Sequence, residues 1–167
     1  MWQRRWVQVT ACALILAGIW WFFFRPPDDV RAIRDRLERF AELVEKDEAE
    51  STLRSVGRAR KLAGYFAEGA EIRYLPRRAP VRAGEGLEAA FVNVRGRVGA
   101  ITVRLRQHDV SVAADGLRAD SRVRVTASVA DGTGDRRTET HDYRILWTKE
   151  AGEWRMRDVA PRQPGAG

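Results

Sequence analysis

Two histidines occur in the chain, and each is followed by an aspartate: His108-Asp109 and His141-Asp142. An imidazole beside a carboxylate is the smallest arrangement that gives a general base with an orienting partner, and two such couples could share a metal ion. Spacing argues against the shared ion. Both couples lie in segments whose apolar residues alternate, which reads as strand. Pairing those strands about the Asp115-Gly116 and Thr133 turns sets Val123 near His108 and Arg144 near Val123. His141 then stands two strands away and about three residues out of line, roughly 14 Å from His108. One ion cannot bridge that gap. Cys12 is the single cysteine, so there is neither a thiolate cluster nor an internal disulfide. No metal and no cofactor are expected.

The remaining candidates are lone acids, bases and phenols facing a pocket. Tyr65, Tyr74 and Tyr143 are the only tyrosines, and Tyr143 shares strand parity with His141, Ile145 and Trp147. Tyr65, Tyr74, Asp109, His141 and Tyr143 are therefore the candidate pocket residues. The plainer reading of each is an amphipathic ring in the core with its hydroxyl at the rim, or a half-exposed strand side chain. Arginines cluster at Arg54, Arg58 and Arg60, at Arg77, Arg78 and Arg82, and at Arg104, Arg106, Arg122 and Arg124. A net charge of +7 favours anionic partners. No nucleic-acid reading motif accompanies these clusters, so they read as a solvated surface or a contact with anionic lipid headgroups, not as a nucleic-acid interface.

Something must hold these residues in place, and the chain is long enough for one modest domain and an appendage. Residues 6–24, WVQVTACALILAGIWWFFF, run without a charge. At roughly 1.5 Å per residue they can cross a ~30 Å hydrocarbon layer. Trp2 and Trp6 flank one end and Trp20 and Trp21 the other, where aromatic rings favour the headgroup level. Arg4 and Arg5 precede the run, while Arg25 alone follows it before Pro26, Pro27, Asp28 and Asp29. This predicts a cytoplasmic N-terminus (residues 1–5), a retained transmembrane helix (6–24), a linker (25–28) and a domain across the membrane. A cleaved signal would need small residues where Trp20 to Phe24 stand. A lipoprotein box at Val9 to Cys12 would need its apolar stretch before Cys12, not after it. All but Lys46, Lys61 and Lys149 of the 30 basic residues are arginine, which resembles a high-GC bacterial coding bias. The expected location is thus the bacterial inner membrane, with the C-terminal domain in the periplasm or outside.

Asp28 and Asp29 suit a helix start, and Val30, Ile33, Leu37, Phe40, Ala41 and Val44 recur every three or four residues. A second helical stripe, Leu53 to Phe66, is weakened by Gly57 and Gly64. Glu71 to Leu75 and Arg78 to Ala83 suggest a small hairpin interrupted by Pro76, and Gly84 to Gly96 a third helix. Four long strands follow: Ile101 to Ala113, Leu117 to Ala130, Arg136 to Trp147 and Trp154 to Val159. In the first of these, apolar parity shifts from Ile101, Val103 and Leu105 to Val110 and Val112, which predicts a β-bulge near residues 107–109 and a curved sheet. Residues 161–167, rich in Pro and Gly, read as a disordered tail. The fold class is α+β: a curved antiparallel sheet wrapped around three helices, behind one transmembrane helix.

That order resembles the nuclear transport factor 2-like superfamily, also called the SnoaL-like or cystatin-like α+β cone. The carrying stretches are Val30 to Phe40, Leu62 to Ile72 and Gly152 to Val159. The resemblance implies one domain over residues 29–160 and a pocket between helices and sheet. Such pockets serve ketosteroid isomerisation, polyketide cyclisation, dehydration or protein binding. The isomerase pattern does not carry over: the first helix offers Phe40 and no tyrosine, and no aspartate lies in Glu71 to Leu75. The expectation is a non-catalytic binding or assembly module at the cell envelope. An anchored isomerase, cyclase or hydrolase acting on a small hydrophobic substrate is the alternative. Expected partners are the inner-membrane bilayer, an envelope protein or a second copy, and a small hydrophobic ligand.

Overall fold

The computed structural model describes residues 28–73, 79–84, 86–131 and 133–162. The expected membrane span, the tail beyond Arg162 and Tyr74 lie outside the described residues. Among those residues, no helix is long and apolar enough to cross a membrane.

Three helices, α1 (Asp28–Val44), α2 (Thr52–Ala63) and α3 (Leu87–Gly96), accompany six strands: β1 (Phe66–Ile72), β2 (Val81–Arg82), β3 (Ala100–Val112), β4 (Arg118–Ala130), β5 (Arg136–Glu150) and β6 (Glu153–Pro161). Helix α1 starts on two aspartates and buries Ile33, Leu37 and Ala41, the stripe set by its apolar spacing. Helix α2 begins at the N-cap Ser51, whose side chain accepts from the Arg54 amide. It ends at Ala63, because Phe66 enters β1 instead of continuing the helical stripe.

The strand order is β2-β1-β6-β5-β4-β3. The expected antiparallel sheet is in fact mixed: β1 runs parallel to β6, while β1–β2, β3–β4, β4–β5 and β5–β6 are antiparallel. The antiparallel neighbours are consecutive along the chain, whereas the parallel pair is separated by most of it, so no local pattern announces it. The β3–β4 register jumps between Arg106 and Asp109, and Gln107 has a φ of 49°. This is the bulge the parity shift predicts, and it bends β3. One expected pairing is off by a residue. Symmetry about Thr133 sets Val123 opposite Tyr143, while Arg144 faces Arg122.

The core lies between α1 and the concave sheet face and includes Ile33, Leu37, Phe66, Val123, Ile145, Trp147, Trp154 and Met156. Two polar contacts, one buried and one half-buried, fix its floor. The Trp147 indole donates to Ser121 Oγ at 2.8 Å, and the Trp154 indole donates to Asp29 at 3.0 Å. Lys149 Nζ, 2.7 Å from the same carboxylate, joins this second contact, and the two donors hold Asp29 below the usual carboxylate range.

Candidate functional site

The core does not fill the cone. Between the C-terminal half of α1 and the concave face is a cavity of about 280 Å³. Helical spacing supplies Leu37, Phe40, Ala41 and Val44 from α1. Strand alternation supplies Ile101, Val103 and Leu105 from β3 and Val123, Val125 and Ala127 from β4. Phe66, Phe91, Tyr143, Ile145, Met156 and Val159 complete most of the wall. The aromatic rings pack against one another instead of crossing the gap: Phe40 meets Phe66 edge-on at 5.6 Å, and Phe66 lies 6.2 Å from Phe91. Ala41 and Ala127 face the space with a methyl each.

Tyr143 is the lining residue with a polar side-chain atom. Burial pushes its phenol above the usual value, and the charge of Glu139 adds to the effect, so the hydroxyl stays neutral. Two residues up the strand, on the same face, His141 Nε2 lies 3.2 Å from Glu139 Oε2. The rings of His141 and Tyr143 meet edge to face at 6.3 Å. The hydrogen bond from His141 and the charge of Arg137, whose Nε is 2.7 Å away, hold Glu139 below the usual carboxylate range.

Of the five candidate residues, the fold thus brings His141 and Tyr143 together, and Tyr143 lines the cavity. Tyr65 sits in the turn before β1, packed on Phe40 at 5.5 Å with the Arg36 guanidinium 4.8 Å above its ring, and takes a packing role outside the lining. Asp109 is on the other side of the sheet. The bulge inverts parity, so Asp109 pairs with Arg122 and shares a convex-face depression with Gln107, Arg124, Asp142 and Arg162. The same inversion turns His108 inward, where Nε2 is buried without a hydrogen-bond partner among the described residues. Burial and then the charge of Arg34 push this imidazole below its ordinary 6.5, against the pull of Asp109. Among the described residues, no three His, Cys, Asp or Glu side chains gather as a metal site.

Sequence reasoning missed two contributors. Glu139 carries a signal, since residues i and i+2 of a strand share a face. Arg95 carries none. It is 2% exposed and pairs with buried Glu50 at 2.7 Å. It also donates to the carbonyls of Leu43, Val44 and Glu45, capping the end of α1 that forms the cavity wall.

Residues 27–160 match the family described as SnoaL-like domain. No curated protein sequence matches the chain. Among solved structures, it is similar to a candidate aromatic ring hydroxylase from Novosphingobium aromaticivorans, with 19% identity over 84% of this chain and 92% of that one and a TM-score of 0.69. A candidate scytalone dehydratase from the same organism gives 13% identity over 80% and 83%, with a TM-score of 0.64. A nuclear transport factor 2-like protein with a cystatin-like fold, again from that organism, gives 16% over 95% and 91%, with a TM-score of 0.60. At these identities the likeness is one of fold.

Proposed function

The chain belongs to the family of SnoaL-like domains, and on that premise we propose that it is a binding module that takes a small, largely apolar molecule into its cone. The observation that carries this reading is the cavity of about 280 Å³, walled by aliphatic and aromatic side chains with one phenol among them. An apolar cavity of roughly 150 Å³ is enough to take benzene. Ligand pockets start near about 300 Å³. The size therefore suits a molecule of one or two rings. Binding is favoured over turnover because proton transfer in both directions needs an acid and a base against the reacting atoms. The lining offers Tyr143 alone.

The apolar run over residues 6–24 supports a tether in the bacterial inner membrane, with the N-terminus in the cytoplasm and this domain on the far side. A reporter that works only in the cytoplasm, fused after Gly167, should be silent; its activity would overturn that topology. The convex sheet face, which no helix covers among the described residues, is where an envelope protein or a second copy would dock.

A second reading has its own observation. The fold likeness to a candidate scytalone dehydratase supports an anchored enzyme for a small hydrophobic substrate, with His141, beside Tyr143 on β5, as its base.

The test is a titration of the full chain in phospholipid nanodiscs with p-cymene, followed by the methyl NMR signals of Val123 and Val125. Saturable shifts confined to the cavity residues support binding. Unmoved signals would sink it, and chemical conversion of a titrated compound would favour the enzyme.

A further inference from the structure

The two ends of the cone differ in what they expose. At one end the first turns of α1 are tied to the β5–β6 hairpin: Asp29 Oδ1 accepts from Lys149 Nζ at 2.7 Å and from the Trp154 indole at 3.0 Å, and Arg36 pairs with Glu153 at 3.4 Å. The Lys149 amide donates to the Leu117 carbonyl at 2.9 Å, which brings the β3–β4 turn to the same end. The two turns there expose Ala113, Ala114, Leu117 and Ala151. Asp115 lies among them but is engaged: its carboxylate accepts the amides of Leu117 and Arg118 and pairs with the Arg118 guanidinium at 2.8 Å. These bonds hold the turn in shape and leave Leu117 56% exposed. At the opposite end the connection after α1 exposes Asp47 and Glu48, and the β4–β5 turn exposes Asp131 and Asp135.

Chain length decides which end meets lipid. On the tether reading above, the apolar run ends at Phe24, and Asp28 opens α1 four residues later. At ~3.6 Å per residue that stretch reaches no farther than about 14 Å. The far end of α1, with Leu53 just beyond it in α2, stands roughly 25 Å from Asp28 at ~1.5 Å per residue. Composition agrees with reach, because alanine and leucine enter an interface at little cost whereas ionised aspartates must be stripped of water.

We propose that the β3–β4 and β5–β6 turns lie against the phospholipid headgroups, with the Leu117 side chain in the interface. This rests on the tether reading and adds the surface of the domain that meets the bilayer. The cavity, walled by Leu37 to Val44 and by Ile101 to Leu105, is then held in the half of the cone farther from the lipid. Exposure by itself does not make this choice: Leu53 is 84% exposed and belongs to the far end, and single exposed leucines are ordinary.

The two leucines give a probe and its control. The full chain, with its leucine methyls labelled for NMR, is placed in phosphatidylcholine nanodiscs with and without lipid carrying a nitroxide on the headgroup; Leu117→Met and Leu53→Met assign the two signals. The nitroxide should weaken the Leu117 methyl signals at least twofold and change those of Leu53 by no more than about a tenth. Equal weakening of the two, stronger weakening of Leu53, or no weakening of either in a chain that stays with the disc overturns the proposal and leaves the tether reading intact. If the chain elutes apart from the discs, the tether reading fails and this proposal with it.

Discussion

Replacing Arg95 with methionine should cost more stability than any other single arginine change in the described domain. The guanidinium is 2% exposed, binds Glu50 Oε1 and Oε2 through Nη2 at 2.7 Å, and donates to three carbonyls at the end of α1. Removing one partner of a buried ion pair costs about 3 to 5 kcal/mol, because the other charge is left without compensation. Here the helix carbonyls lose their donors as well, which points to the upper half of that range. Acid should relieve part of the loss. In the native protein burial pushes Glu50 up, but hydrogen bonds and charge from Arg95, with Arg58, pull it below its ordinary 4.5. That stabilisation is present above the unfolded value and disappears as pH falls through the folded one. In Arg95→Met the upward push of burial remains against the weaker pulls of Arg58 and Ser55, so the penalty is largest at neutral pH and shrinks once Glu50 takes a proton. Urea unfolding of the full chain at pH 7 and pH 4 measures both quantities. The double change Arg95→Met with Glu50→Leu should recover most of the loss at pH 7, since an apolar pair leaves no buried charge. A loss under 1 kcal/mol, or an equal loss at both pH values, would refute the electrostatic account.

Ala127→Leu adds carbon to the open space of the cone and should leave the melting temperature unchanged or a few degrees higher, while p-cymene affinity drops more than tenfold in the methyl titration. Gly99→Ala would set a Cβ 2.9 Å from the Asp131 backbone oxygen and 3.4 Å from that of Ala130; urea unfolding should show a loss of about 1 to 3 kcal/mol. His108→Leu removes an orphaned buried nitrogen. Because the folded protein holds this imidazole below its ordinary 6.5, native stability falls as pH drops through that value. The variant should lose less stability between pH 7 and pH 5, and parallel pH profiles for the two proteins would count against the buried-imidazole account.

What was legible in the chain was local. The stripe from Val30 to Val44 is α1, and the change of parity between Leu105 and Val110 marks the bulge, because both periods are set by backbone geometry within a few residues. Pairing of β1 with β6 was not legible, since the two strands are brought together by the closure of the whole sheet. Asp109 was misassigned for a related reason. A bulge moves one residue out of register, so one side chain of the His108-Asp109 couple must face out, and only the paired register with Arg122 tells which. Arg95 was hidden by abundance: it is one arginine among the 30 basic residues of a strongly cationic chain, and burial, not spacing, distinguishes it. His141 and Tyr143 were found because strand alternation gives them a shared face, and the same rule would have added Glu139.

The open cone also has an energetic meaning. Cavities in packed cores cost about 24 cal/mol per Å³, so a dry void of about 280 Å³ would forfeit roughly 7 kcal/mol. Water entering the mouth lowers that figure, yet it still compares with the 5 to 15 kcal/mol that separates typical folded and unfolded domains. The remedy lies within reach of single substitutions, because Ala41 and Ala127 could each be a larger residue without leaving its helix or strand. Small residues facing a large gap are what a site needs if a guest supplies the missing contacts, and bound ligand then returns part of the lost stability by mass action. The Arg95 cap belongs to the same design: it keeps the last turn of α1 rigid where Ala41 and Val44 have little to pack against. A wall that must stay open cannot be held by its own filling, so it is held from behind by a buried ion pair.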